Sequence, residues 1–315
     1  MAALQGEAMI TRRRFTMTVL GSAIAGVASQ AFGAGAASTT NATSTGSLEK
    51  QLAAIEAQAG GRLGVAMLDT ANGHVRGWRM QERFPMCSTF KVLLASAVLT
   101  RKDHGKEDLA RKIVYSPAQV VSYSPVSGPR AGSEGMTVAE LCEAALTRSD
   151  NTAANLLLES IGGPSAITAF ARSIGDPVTR LDRNETTLND AIPGDPRDTT
   201  TPAAMVANLR ELLLGERLSS ASREQLIAWL VANKTGDARL RAGLPKDWRV
   251  GDKTGTGDHG TANDVAIVWP TGRAPILVTA YLTGAAHASS AQRDAAIAQV
   301  GAVVASLQAK GHARR

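Results

Sequence analysis

Apolar residues near both ends of the chain follow the spacing of β-strands, and each group of strands is accompanied by one helix. The predicted strands cover residues 63–69, 74–80, 248–256, 265–269 and 276–282. The accompanying helices are predicted to begin at Ser47 and near residue 288. We therefore predict one five-stranded antiparallel sheet with an N-terminal and a C-terminal helix.

The residues between the two groups of strands follow helical spacing instead. Apolar positions recur along one face through most of residues 88–232, and Gly162-Gly163-Pro164 ends one of the predicted helices. The pattern predicts an α/β (α+β) protein with an inserted all-α domain at residues 81–232. The sheet domain is then discontinuous, formed by residues 47–80 and 233–310.

Composition narrows the possible classes of protein. The 315-residue chain is 44% hydrophobic, only 4% aromatic, and carries a net charge of +6. This hydrophobic content is sufficient for a large core in one or two domains. Because the basic residues form no cluster interleaved with aromatic residues, we expect no nucleic acid partner. The histidines lack the spacing of metal ligands, so we expect no metal site.

The first 36 residues have the features of an export signal. Arg12-Arg13-Arg14-Phe15 precedes an apolar stretch at residues 17–28, and small residues at 31–36 offer a cleavage site. An arginine pair followed by phenylalanine is typical of a twin-arginine signal. We expect a periplasmic or secreted protein with no membrane attachment after cleavage; an uncleaved anchor is the alternative. Residues 37–46, rich in Ser, Thr and Gly, are predicted to be a linker.

Ser88-Thr89-Phe90-Lys91, at the start of an apolar helix, is the first candidate for chemistry. A serine hydroxyl becomes a good nucleophile when a base takes its proton. A lysine three residues later lies on nearly the same helical face, so we expect Lys91 Nζ to reach Ser88 Oγ. The same pattern at Ser47-Leu48-Glu49-Lys50 fits a capped helix start with surface charge.

Two triplets accompany Ser88 farther along the chain. Ser149-Asp150-Asn151 lies between two predicted helices, and Lys253-Thr254-Gly255 lies on a predicted strand. A second Lys-Thr-Gly triplet, Lys234-Thr235-Gly236, follows a helix, where Lys and Gly are common end residues. We assign the motif to Lys253, because a strand would hold its ammonium group rigidly along a cleft between the two domains.

In this combination, Ser88, Ser149 and Lys253 begin motifs that resemble those of class A β-lactamases and penicillin-binding proteins. The order and spacing of the motifs resemble class A serine β-lactamases along nearly all of the chain after the signal. The resemblance implies hydrolysis of penicillins and cephalosporins through an acyl-enzyme, and hence resistance to β-lactams. It implies a catalytic water and no metal or organic cofactor; the oligomeric state stays open, with a monomer as the default expectation.

The resemblance also implies catalytic roles. Ser88 would be the acylated nucleophile, and Lys91 its neighbour in proton transfer. Ser149 would pass a proton to the departing lactam nitrogen. The backbone N–H groups of Ser88 and Thr256 would form the oxyanion hole, where losing one donor typically costs about 10²–10³ in rate.

Other matching residues would bind the substrate. Asn151 would contact the amide of the substrate side chain, while Asp150 would brace its own loop. In Lys253-Thr254-Gly255, the lysine would supply positive potential and the threonine would bind the substrate carboxylate. Tyr123 resembles the aromatic wall at the mouth of the cleft.

Turnover requires a water that attacks the acyl-enzyme, and Glu185 and Asn189 match the family pair that holds this water. Which group first takes the serine proton is disputed in the family, so Glu185 as deacylation base is the firmer role. An ion pair between Arg183 and Asp198 could clamp the ends of the loop. Thr186 stands where many members have proline after a cis bond, which leaves the isomer of this bond open.

One departure from the family pattern concerns the arginine that binds the substrate carboxylate. Ala262 stands where many members place this arginine on the strand after Lys-Thr-Gly. Arg239 matches a position from which other members deliver the guanidinium group, and Arg293 is a second candidate. We favour Arg239.

Two further departures concern the cysteines. Ala95 occupies the usual partner position of Cys142, and Gly257 occupies the position that pairs with Cys87 in some carbapenem-hydrolysing members. Neither family disulfide is therefore expected, and efficient carbapenem hydrolysis is less expected. Cys87 and Cys142 could pair with each other, although both fit buried core positions better.

Two other functions use the same three motifs. A D-alanyl-D-alanine peptidase shares the acylation chemistry, but Glu185 with Asn189 argues against it. A β-lactam sensor stays acylated and would normally carry a membrane or signalling segment. Repeated turnover of a β-lactam distinguishes the hydrolase from both alternatives.

Overall fold

The computed structural model describes residues 38–312, with side chains described over residues 48–309. The predicted export signal therefore lies outside the described residues. The helices are α1 (Ser38–Ala59), α2 (Lys91–Asp103), α3 (Val138–Thr147), α4 (Asn151–Ile161), α5 (Pro164–Ser173), α6 (Pro202–Leu213), α7 (Ser220–Val231), α8 (Leu240–Gly243) and α9 (Ser290–His312). The strands are β1 (Arg62–Asp69), β2 (His74–Trp78), β3 (Phe84–Pro85), β4 (Lys112–Ile113), β5 (Met136–Thr137), β6 (Thr199–Thr200), β7 (Arg249–Gly257), β8 (Thr261–Trp269) and β9 (Ile276–Thr283).

The predicted five-stranded antiparallel sheet is confirmed. Its strand order is β2-β1-β9-β8-β7, so the last strand of the chain pairs with the first. In this register Val65 lies opposite Ala280, and Lys253 lies opposite Val265. The strand that carries Lys253 is thus at one edge of the sheet.

The sheet is covered on both faces at its centre, which explains why β1 and β9 are apolar almost without interruption. Val65 and Met67 point into a core shared with α1 and α9, whereas Ala66 and Leu68 point into a larger core shared with the helices of residues 91–231. This arrangement agrees with the predicted fold class. The domain boundaries after residues 80 and 232 stay a prediction.

The first helix begins at Ser38 and not at Ser47, so it includes most of the segment predicted as a linker, an assignment that stays a prediction. The well-packed turns with Leu48 and Leu52 supply a helical nucleus. Once this nucleus exists, each further residue on its N-terminal side adds only the favourable propagation step, so the polar residues before Leu48 can also be helical.

Strand β8 is longer than predicted because it begins with small and polar residues. The prediction started at Val265, whereas the strand starts at Thr261. Asn263 is buried there, and its side-chain amide donates to the backbone oxygens of Pro85 and Met86. These tertiary hydrogen bonds make a polar residue suitable for a buried strand. No helix in the described part of the chain is long and apolar enough to cross a membrane.

Candidate active site

Ser88 lies in a 3₁₀ turn, Cys87–Phe90, that runs directly into α2. The hydroxyl and the backbone N–H of Thr89 both donate to the carbonyl of Met86. Asn263 on β8 donates to the same carbonyl. The turn is therefore anchored to the sheet, and Ser88 is 7% exposed at the start of the helix, as the sequence predicted.

Strand β7 passes very close to this turn. A Cβ atom at Gly255 would lie 2.7 Å from the carbonyl oxygen of Met86, which is too near for any side chain. A Cβ atom at Gly257 would lie 2.6 Å from Cys87 Sγ. Both glycines thus permit the strand to approach the turn that carries Ser88.

Lys91 does not contact Ser88 in the way that the sequence predicted. Its Nζ donates to the carbonyl of Ser149 (2.8 Å) and to Asn151 Oδ1 (2.7 Å), and lies 3.0 Å from Glu185 Oε1. An ammonium group has three protons, and these three acceptors use all of them. Ser88 Oγ donates instead to Glu185 Oε1, over 3.0 Å.

Burial and the charge of Glu185 act in opposite directions on the proton of Lys91. The side chain is fully buried, and this burial lowers the pKa of Lys91, although the negative charge of Glu185 opposes the shift. A lowered pKa means that more of the amine is unprotonated, and so able to take a proton, than in an exposed lysine.

The Ser149-Asp150-Asn151 triplet lies between α3 and α4. Ser149 has a positive φ of 56°, which turns the chain so that Asp150 becomes the N-cap of α4. The carboxylate of Asp150 accepts hydrogen bonds from the backbone N–H groups of Val126 and Ser127. Asp150 therefore braces the loop, as predicted.

Asn151 and Tyr123 lie together beside this loop. The side-chain amide of Asn151 accepts from Lys91 and donates to the carbonyl of Ser122, so both of its ends are held. The carbonyl of Tyr123 accepts from the backbone N–H of Asn151, and its side chain is 62% exposed. Tyr123 thus presents an aromatic surface next to Asn151.

Lys253 connects the sheet to the loop of Ser149. Its Nζ donates to Ser149 Oγ (2.9 Å) and to the carbonyl of Thr254 (2.8 Å). Lys253 is fully buried, and burial together with the positive charge of Lys91 lowers its pKa well below the usual value. The structure therefore brings Ser88, Lys91, Ser149 and Lys253 into one connected group.

The loop that carries Glu185 is clamped as predicted. Arg183 Nε lies 2.6 Å from Asp198 Oδ2, and Arg183 also pairs with Asp190. The Glu185–Thr186 peptide bond is cis. Glu185 is 5% exposed; its Oε2 accepts from Asn189 Nδ2, while its Oε1 faces Ser88.

Two residues of this site were missed by the sequence analysis. Asn155 Oδ1 accepts from the backbone N–H of Glu185 (2.9 Å), and Asn155 Nδ2 donates to the carbonyl of Glu185 (2.8 Å). Thr235, from the Lys-Thr-Gly triplet that was set aside, lies 2.6 Å from Thr254 through the two hydroxyl oxygens. For Asn155 a signal existed, because it follows Asn151 by one helical turn and stands between apolar residues of the same helix.

Of the two candidate arginines, Arg239 lies next to the Lys-Thr-Gly strand. It is buried; its guanidinium donates to the carbonyl of Gly255 (2.7 Å) and to Thr256 Oγ1 (2.8 Å), and it pairs with Asp294. Arg293 donates to the carbonyl of Ala288, just before its own helix. The structure thus brings Arg239 to the Thr256 end of strand β7.

Both cysteines are free and buried, as expected from the missing partners. Burial raises the pKa of the Cys87 thiol and of the Cys142 thiol, so neither is a reactive thiolate. Among the described residues, no group of three or more His, Cys, Asp or Glu side chains could hold a metal ion.

Comparisons with known proteins agree with this geometry. The β-lactamase enzyme family matches residues 47–307. β-Lactamase CTX-M-8 of Citrobacter amalonaticus is 50% identical over 247 residues, which are 78% of this chain and 84% of that protein. β-Lactamase L2 of Stenotrophomonas maltophilia is 49% identical over 302 residues, which are 94% of this chain and 98% of that protein.

A solved structure gives the same result. An ancestral (GNCA) class A β-lactamase superposes with a TM-score of 0.81 at 67% identity, and the match covers 82% of this chain and 99% of that one. The chain therefore belongs to the β-lactamase enzyme family, as a class A serine enzyme that hydrolyses β-lactams.

Proposed function

We propose that Ser88 is acylated by the β-lactam and that water activated by Glu185 then releases the product. One observation carries this proposal: Glu185 contacts Ser88 Oγ with one carboxylate oxygen and Asn189 with the other. Asn189 Oδ1 is buried and has no hydrogen-bond partner among the described residues. A water between these groups would have an acceptor on Asn189 and a base on Glu185.

In acylation, Ser88 Oγ attacks the lactam carbonyl carbon and loses its proton to a base. Glu185 contacts the hydroxyl directly, whereas Lys91, whose pKa is lowered by burial, contacts Glu185 and would take part through that carboxylate. The lactam C–N bond breaks, the nitrogen takes a proton from the hydroxyl of Ser149, and the proton first taken from Ser88 replaces it, which frees the base again. Lys253, which donates to Ser149 Oγ, supplies positive potential there.

In deacylation, the water oxygen attacks the ester carbon while Glu185 takes a proton from the water. The ester bond to Ser88 breaks, and the serine oxygen takes back the proton held by Glu185, which restores both groups. A general base typically contributes about 10²–10⁴ in rate. The water and the carboxylate thus account for turnover, which a β-lactam sensor lacks.

The remaining motif residues bind the substrate. Thr254 and Arg239 would hold the carboxylate of a penicillin or cephalosporin, and Asn151 would contact the side-chain amide. The guanidinium of Arg239 is held near Thr256 by four hydrogen bonds, so it adds positive charge at that end of the cleft. Tyr123 would flank the entrance. The backbone N–H groups of Ser88 and Thr256 would stabilise the oxyanion.

The test is turnover of a chromogenic cephalosporin by purified residues 37–315. Many turnovers per enzyme, with a transient adduct on Ser88 by mass spectrometry, are expected. A single stoichiometric burst would identify a sensor instead. Preferred cleavage of a D-alanyl-D-alanine peptide would identify a peptidase, and an adduct on another residue would refute Ser88 as the nucleophile.

We infer in addition that the enzyme is exported by the twin-arginine route and acts as a periplasmic or secreted monomer. The sequence Arg12-Arg13-Arg14-Phe15 supports the export route, and the monomer is the default expectation. Replacing Arg12 and Arg13 by lysine should retain the protein in the cytoplasm. Unchanged export of this variant would indicate another route.

A further inference from the structure

The second Lys-Thr-Gly triplet, residues 234–236, reaches the active site through its threonine. Thr235 Oγ1 lies 2.6 Å from Thr254 Oγ1, so the two triplets share a hydrogen bond. The segment lies tightly against β7, because a Cβ atom at Gly236 would lie 1.9 Å from Asp252 Oδ2. The triplet therefore lies beside Thr254, the proposed ligand of the substrate carboxylate.

The direction of the hydrogen bond follows from the contacts of Asn233. The backbone nitrogen and the hydroxyl of Thr235 lie 3.0 and 2.9 Å from Asn233 Oδ1. A backbone N–H can only donate, so the atom that it faces must be the amide oxygen. That oxygen has no proton, so the hydroxyl of Thr235 also donates to it. Because this uses the only hydroxyl proton of Thr235, Thr254 must donate to Thr235.

In the free enzyme, the proton of Thr254 is thus directed at Thr235. A substrate carboxylate only accepts hydrogen bonds, so Thr254 has to turn this proton toward it. The oxygens of Thr254 and Thr235 would then face each other without a proton unless Thr235 also turns. Thr235 can do so at little cost, because Asn233 Oδ1 keeps the backbone N–H of Thr235.

We propose that Thr235 is a positioning residue for recognition of the substrate carboxylate. Its hydroxyl accepts from Thr254 in the free enzyme and donates to Thr254 in the complex. A donor behind Thr254 polarises the O–H bond of Thr254 and strengthens its hydrogen bond to the carboxylate. This inference rests on the proposed role of Thr254 as a ligand of that carboxylate.

The main test is Thr235→Val, which keeps the shape of the side chain and removes the hydroxyl. For a chromogenic cephalosporin with a free carboxylate, KM should rise about three- to tenfold while kcat stays within about twofold. Thr235→Ser keeps the hydroxyl and should restore KM. With the methyl ester of the same cephalosporin, Thr235→Val and the natural enzyme should have equal KM, because the charged acceptor is gone.

A double-mutant cycle with Thr254→Val separates this inference from the proposed function. If Thr235 acts through Thr254, adding Thr235→Val to Thr254→Val should raise KM no further. An additive rise would overturn the inference. If only Thr254→Val raises KM for the cephalosporin with a free carboxylate, the carboxylate role of Thr254 stands and the inference about Thr235 is wrong. If neither variant raises this KM, both the carboxylate role of Thr254 and the inference about Thr235 are wrong.

A matched control comes from another threonine pair in the sheet. Thr261 Oγ1 and Thr283 Oγ1 lie 2.8 Å apart on β8 and β9. Thr283→Val removes a hydroxyl from this pair and should leave KM within about twofold. Should Thr235→Val fail to fold, comparing Thr235→Ala with Thr235→Ser gives the same measurement. Equal KM for those two variants would overturn the inference.

Discussion

Ser88 and Glu185 are joined by a direct hydrogen bond, in which Ser88 Oγ donates to Glu185 Oε1 over 3.0 Å. The two residues are separated by 97 positions in the sequence. Both are almost fully buried, so little water competes for this contact. The proposed nucleophile and the proposed deacylation base therefore lie in contact before any substrate binds.

Glu185→Gln should trap the acyl-enzyme. The amide keeps the shape of the side chain but cannot take a proton from water, so turnover should fall by about 10²–10⁴. Intact-mass spectrometry after addition of a penicillin should show a stable adduct on Ser88. Glu159→Gln, at an exposed glutamate of α4, is the control and should turn over normally. An absence of both turnover and adduct would show that Glu185 is needed for acylation.

Asn155→Ala should impair catalysis and stability together. Asn155 holds the backbone N–H and the carbonyl of Glu185, and removing it leaves both groups without that partner. We expect a loss of about 1–3 kcal/mol in the free energy of unfolding and slower deacylation. Urea unfolding and single-turnover kinetics measure the two effects. The control is Ser160→Ala, which removes only a hydrogen bond within the same helix and should change neither the free energy of unfolding nor the deacylation rate. Normal deacylation by Asn155→Ala would contradict the proposed support of Glu185.

Arg239→Ala should weaken substrate binding more than Arg293→Ala does. The guanidinium of Arg239 lies against Thr256, whereas Arg293 contacts the backbone before its own helix. KM for a penicillin should rise about tenfold for Arg239→Ala, as expected for loss of a charged hydrogen bond. Arg239→Lys should not restore it, because an ammonium cannot make the several bonds of the guanidinium. A larger effect of Arg293→Ala would transfer the assignment to that residue.

Asp103→Asn should destabilise the protein in a pH-dependent way. Asp103, at the end of α2, accepts from Ser219 and Ser222 at the start of α7. Burial alone would raise the pKa of Asp103, but these hydrogen bonds lower it to about 2 from 3.8. A lowered pKa stabilises the fold above pH 3.8, and this contribution is lost as the pH falls through about 2.

For Asp103→Asn we therefore expect a loss of about 1–2 kcal/mol at pH 7, measured by urea unfolding. The difference from the natural protein should shrink below pH 4. Asp237→Asn, at an exposed aspartate, should show almost no loss at any pH. A loss for Asp103→Asn that stays constant down to pH 3 would contradict the explanation.

Much of the fold and of the candidate site could be predicted from the sequence. The strands, the helical middle and the three motifs all depend on local patterns, and the motif order led to Ser88, Ser149 and Lys253. The pairing of Arg183 with Asp198 was also predictable, because opposite charges flank one loop. By contrast, the start of α1 was placed too late, since polar turns extend a helix without leaving an apolar pattern.

The contacts of single protons could not be predicted in this way. Helical spacing placed Lys91 near Ser88, but it could not show that three other acceptors would use all protons of Lys91. Thr235 was set aside as a helix-end residue for the same reason. Its hydrogen bond to Thr254 joins residues 19 positions apart and depends on how closely the segment lies against β7.

The sequence by itself determined the element types, the candidate nucleophile and the residues that accompany it. These features depend on hydrophobic period and residue type, which are local properties of the chain. Only the tertiary structure decided which acceptor each buried donor uses, including the choice of Glu185 over Lys91 as the partner of Ser88. The physical reason is that hydrogen bonds require atoms to lie about 3 Å apart, and packing between distant segments sets those distances.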